Sequence, residues 1–152
     1  MLYVALMMLL LLALIGVAGM QVAGMQEKMA SNYRAASRSF QNTEGAVRNA
    51  EAATEAVTNR TDPPPGSLVT SNAISQNCED GFDPVKWGED MAGQPAPAVN
   101  VRQIDQCADP GSSLANGEAN DKAGATFQIT AYSADDTNNP TSYSVIDTIF
   151  KL

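Results

Sequence analysis

Two cysteines, two acidic clusters and one sequon are the side-chain groups here whose types could do chemistry, and the chain contains no histidine. Without an imidazole there is no Ser–His or Cys–His nucleophile and no histidine-based metal site. The clusters Glu79-Asp80-Gly81-Phe82-Asp83 and Asp135-Asp136-Thr137-Asn138-Asn139 offer carboxylate oxygens of the kind Ca²⁺ takes. Neither has EF-hand spacing, and solvated acidic loops are the favoured reading. Asn59-Arg60-Thr61 fits the N-glycosylation pattern, although in this composition a chance match is the simpler explanation. The residues therefore predict neither catalysis nor a cofactor or metal. Cys78 and Cys107, with 28 residues between them, predict a disulfide formed in an oxidising compartment, the alternative being two reduced, unrelated thiols. Closing that loop would stabilise a thin-cored domain by about 3–4 kcal/mol in the chain-entropy model.

The elements that must position these groups divide sharply by polarity. Glu27 is the first charged residue, and residues 1–20 hold no side chain more polar than Tyr3. An uncharged run of 26 residues is long enough to cross a hydrocarbon core of about 30 Å as a helix. A cleavable signal would open on a basic region and carry a shorter apolar stretch, so this segment is predicted to be retained and to span. Lys28, Arg34 and Arg38 follow it, which by charge alone places the remainder in the cytoplasm, whereas the cysteine pair places it outside. A basic leader removed from before Met1 reconciles the two. Gly16, Gly19 and Gly24 make the end of the span its weakest part, at about 1 kcal/mol per glycine, and imply either local melting or close helix packing.

Beyond Gln26, Met29, Tyr33, Ala36, Phe40, Val47, Ala50 and Val57 recur at helical spacing and predict one amphipathic face, ended by Asn59 and Pro63-Pro64-Pro65-Gly66. Residues 67–123 read mainly as loop with short structured pieces near Leu68-Val69 and residues 99–104. Phe82, Val85, Trp87 and Met91 are placed to plug that region onto the helix. Residues 126–132 alternate and residues 143–150 are rich in β-branched and aromatic side chains, predicting a hairpin around a turn at 133–141. Up to Arg60 there are five Lys/Arg against four Asp/Glu, and from Thr61 onward four against thirteen. So acidic a C-terminal part repels phosphates and excludes nucleic acid as its partner.

The sequence resembles the type IV pilins, and more narrowly the PilX-like minor pilins. The resemblance lies in the apolar run 9–20, in Gln26-Glu27-Lys28-Met29-Ala30-Ser31-Asn32-Tyr33-Arg34, and in Phe40 with Glu44 and Arg48-Asn49-Ala50-Glu51. It is strong over the first third and weaker at the closing hairpin. It implies an α+β type IV pilin fold, a long N-terminal helix packed on a small antiparallel sheet of four strands. The parts would be residues 1–26 as the membrane and filament-core half of the helix, 27–60 as its amphipathic half, and 61–152 as the head. Family signature positions are Glu27, Lys28, Met29, Asn32, Arg34, Phe40, Glu44 and Glu51, and core packing falls to Leu9, Leu12, Gly16, Gly19 and Met20. Processing and N-methylation are implied at Met1, with Cys78–Cys107 bounding a surface region. Ala5 departs from the pattern, since most pilins carry a glutamate there that neutralises a neighbour's N-terminal amine; an unpaired buried amine is costly.

The implied role is a non-enzymatic filament subunit, minor or major, taking part in assembly and in adhesion or aggregation. Its partners would be other pilin subunits, inner-membrane assembly machinery, membrane lipid before assembly, and a host or neighbouring-cell surface. The chain would sit in the inner membrane with its head in the periplasm, then in the extracellular filament. A pseudopilin of a type II secretion system and an unrelated single-span protein with an acidic ectodomain are the alternatives.

Overall fold

A computed structural model describes residues 2–70, 72–76, 81–104 and 125–152. Cys78 and Cys107, Met1, and the acidic residues Glu79 and Asp80 lie outside them. The chain forms two compact units, Met1–Ala35 and Ala36–Leu152. The elements in order are α1 (Leu2–Thr58), β1 (Ile74–Ser75), α2 (Pro84–Met91), β2 (Ala98–Gln103), β3 (Thr126–Ala134) and β4 (Tyr143–Lys151).

In the first unit α1 runs without interruption through Gly16, Gly19 and Gly24. Runs of Leu, Ala and Met, all strong helix formers, carry it across the weak positions. A methyl group added at any of the three glycines would meet nothing within 4 Å. The apolar side chains project outward along its length, and this is a helix long and apolar enough to cross a membrane.

In the second unit the sheet order is β1-β2-β3-β4. The β2–β3–β4 meander is antiparallel, with Val101 opposite Ile129 and Ile129 opposite Thr148, while the two-residue β1 adds in parallel beside Val101 and Arg102. The sheet is thus mixed, and the chain is α+β, a long apolar N-terminal helix with a small four-stranded sheet. Ala50 and Ala53 of α1 pack with Val69, Val101, Phe127 and Ile129 into the core.

The helix face that packs differs from the expected one. Its buried residues are Ser39, Thr43, Val47, Ala50, Ala53 and Thr54, so only Val47 and Ala50 of the predicted stripe are buried and Phe40 remains 53% exposed. Small side chains allow close approach, and their polarity is neutralised locally. Ser39, Thr43 and Thr54 each donate to a carbonyl one turn back, Ala36, Ser39 and Ala50 respectively. A buried hydroxyl satisfied in this way costs little. Thr43 Oγ1 also donates to the Ser144 carbonyl at 3.1 Å, and Asn42 Nδ2 to that of Ala134 at 2.9 Å, tying the helix to the hairpin.

The helix ends in a Schellman motif, with the amides of Arg60 and Thr61 donating to the carbonyls of Val57 and Ala56. Arg60 occupies the left-handed position at φ 57°, where glycine is usual.

Candidate functional site

The outer sheet face, opposite α1, is built by α2 and three strands. Asp83 caps α2 by accepting from the amides of Val85 and Lys86, and Pro84 supplies the pre-set first residue. These two signals were legible in the sequence, yet the reading of 67–123 as mainly loop passed over α2 and β1. Phe82, Val85 and Trp87 do not plug the region onto α1 as expected. Phe82 lies under the Arg102 guanidinium at 5.0 Å and beside Trp87 at 6.5 Å, while Val85 is largely exposed. Arg102 alternates with the core residue Val101 along β2, which puts this cluster on the far side of the sheet from α1.

That face also carries a polar ladder absent from the sequence reading. Arg102 Nη1 donates to Gln128 Oε1, Gln128 Nε2 to both carboxylate oxygens of Asp147, and Thr130 Oγ1 to Asp147 Oδ1 at 2.6 Å. Tyr132 stacks on Tyr143 at 5.7 Å and donates its hydroxyl to the Gln94 carbonyl. Gly88 of α2 rests directly on Val145, since a β-carbon there would lie 2.7 Å from a Val145 methyl.

The acidic clusters resolve into structural roles where they are described. Asp135 accepts from the Thr141 amide and hydroxyl and from the Ser142 amide, closing the β3–β4 loop. The Thr141 hydroxyl first, then the Ser142 and Thr141 amides, hold its carboxyl well below the usual carboxylate range. Asp136 accepts from the Asn138 amide. Among the described residues, no three His, Cys, Asp or Glu groups converge to hold a metal ion. Asn59 and Thr61 of the sequon sit in the helix cap, with the Thr61 hydroxyl donating to the Ala56 carbonyl.

The residues singled out on α1 are placed but not gathered into a pocket. Leu9, Leu12 and Met20 are exposed, flanking the open surface at Gly16 and Gly19, and Glu27, Lys28, Met29, Asn32 and Arg34 are likewise exposed. Glu44 pairs with Arg48 at 2.6 Å one turn on, a surface pair that contributes little to stability. Glu51 is half-buried.

Residues 1–48 match the family model described as PilX N-terminal. No curated protein and no solved structure matches the chain. The N-terminal region is therefore of the PilX type, and that region alone carries the match.

Proposed function

We propose that this chain is a structural subunit of a type IV pilus, a minor pilin of the PilX-like kind. The observation that supports this best is the conjunction of the PilX-type match over residues 1–48 with a helix whose apolar side chains find no partner within their own unit. Uncovered apolar surface on this scale needs lipid or other helices around it. In this reading residues 1–26 hold the subunit in the inner membrane, with the head, 61–152, in the periplasm. The same residues later pack against neighbouring subunits in the filament, Leu9, Leu12 and Met20 filling space and Gly16 and Gly19 admitting close approach. Residues 27–60 join the two. Met1 is the processed and methylated end, and Cys78 pairs with Cys107. Ala5 favours a minor or tip position, because it leaves no carboxylate to neutralise a neighbour's N-terminal amine in an apolar core. Assembly machinery and, through the head, a cell surface are the remaining partners.

The test replaces residues 2–20 with polyleucine of equal length. Membrane insertion should survive, since hydrophobic length is kept. Incorporation into sheared, purified filaments should be lost, since the shape of the packing surface is not kept. Filaments that still contain the variant would overturn the reading.

A further inference from the structure

The two edges of the sheet are unequal. β1, at one edge, is two residues long, whereas β4, at the other, is nine. The Asp135 amide donates to the Ser142 carbonyl and the Leu152 amide to that of Ala125, so even-numbered residues of β4 bond toward β3. By alternation Tyr143, Val145, Asp147, Ile149 and Lys151 turn their backbone amides and carbonyls to the open edge. Among the described residues no strand pairs with this side of β4, and a row of open groups of this length is a template for another strand.

We propose that this edge pairs with the same edge of a second copy of this chain, antiparallel and centred on Ile149. Charge and steric fit select that register. Centring on Asp147 would give the longest ladder but would oppose Asp147 to Asp147. It would also run the partner's 149–151 past Tyr143 and Val145, where α2 rests through Gly88 and where Pro84, Val85 and Glu89 line the same groove. Moving the centre to Ile149 opposes Asp147 to the partner's Lys151 and Lys151 to the partner's Asp147, a self-complementary arrangement with two-fold symmetry. Ile149, 59% exposed in the single chain, then covers its own copy. In this register Ile149 opposite its own copy and the two Asp147–Lys151 pairs each join edge-facing residues and exchange both backbone bonds, while Thr148 and Phe150 oppose each other as the intervening non-hydrogen-bonded pairs. The ladder spans only residues 147–151, well short of a standard interface, so the pairing is weak in dilute solution and is favoured where the N-terminal helices confine copies to one surface. The contact does not depend on the chain being a filament subunit.

The full chain in membranes, carrying Ile149→Cys and oxidised mildly, should give a disulfide-linked dimer, since paired residues bring their Cα atoms within disulfide range. Asn138→Cys, in the exposed β3–β4 loop, should not. Adding Lys151→Glu to the Ile149→Cys chain turns both cross-strand pairs like-charged and should lower dimer yield about tenfold, whereas Lys151→Arg should not. Equal cross-linking at positions 138 and 149, or indifference to Lys151→Glu, overturns the proposal. Amide exchange on the unmodified chain avoids dependence on how the variants fold. The Asp147, Ile149 and Lys151 amides should gain protection as the chain becomes more crowded in the bilayer and the Tyr143 amide should not, and a concentration-independent pattern refutes the pairing.

Discussion

Gly88→Ala isolates the contact that seats α2 on the sheet. Gly88 is buried in the middle of an eight-residue helix, so alanine should by propensity alone stabilise it by about 0.5–1 kcal/mol. The structure predicts the opposite sign. The new β-carbon would lie 2.7 and 3.2 Å from the two methyls of Val145 and 3.4 Å from its Cβ. Valine is stiff at χ1 and cannot swing both methyls away, so α2 must lift from β4. Overpacking costs about 1–3 kcal/mol and a 2.7 Å approach belongs to the upper half of that range, about 2–3 kcal/mol, which leaves a net loss of about 1–2 kcal/mol once propensity is subtracted. For a unit of this size that lowers Tm by about 4–8 °C. The chain's one tryptophan, Trp87, is the adjacent residue, so its fluorescence reports the displacement directly during thermal or urea unfolding. In a Val145→Ala background both methyls are gone, and Gly88→Ala should become neutral or stabilising. If it costs the same in both backgrounds, the steric account is wrong.

Thr43→Val keeps the shape of a fully buried side chain but removes the hydroxyl that donates to Ser39 and Ser144, and it should cost about 0.5–1.5 kcal/mol in urea unfolding, because the Ser144 carbonyl loses its tie to α1 while keeping its place in the β3–β4 ladder. Arg60→Gly relieves a left-handed residue in the Schellman motif and should raise Tm, with a gain under about 1 kcal/mol because the charge that complements the helix C-terminus is also lost. The depressed carboxyl of Asp135 stabilises the folded chain fully above its unfolded value near about 3.9, and that stabilisation fades as pH falls below it toward the folded value. Exchange protection of the Thr141 and Ser142 amides should therefore decline with acid below about pH 4 in the natural chain, and be lower and flat with pH in Asp135→Asn.

Much of the architecture was legible because it rests on one-dimensional signals. The uncharged run to Gln26 specifies a helix fit for lipid whatever surrounds it, and Pro63-Pro64-Pro65-Gly66 specifies its end. The hairpin followed from alternation in 126–132 and β-branched density in 143–150, and the structure extends each strand by one or two residues to Ala134 and Lys151. Helix α2 was missed although Asp83-Pro84 announced it, because eight residues give too few turns for periodicity to stand out.

The buried face of α1 was decided only in three dimensions. Apolar periodicity pointed to Phe40, but the face of α1 turned to the sheet carries the small residues Ser39, Thr43 and Ala53, and the Ser39 and Thr43 hydroxyls are satisfied by the helix's own carbonyls, that of Thr43 also by Ser144. The polar ladder on the outer face joins residues up to 45 positions apart, Arg102 through Gln128 to Asp147, and no local pattern encodes a register. By itself the sequence determined the long N-terminal helix, its end and the closing hairpin, and that the first half of the helix needs apolar surroundings. Tertiary structure decided which faces meet and which edge stays open, because those depend on the separation of surfaces distant in the chain, and packing distance is not a property of any one segment.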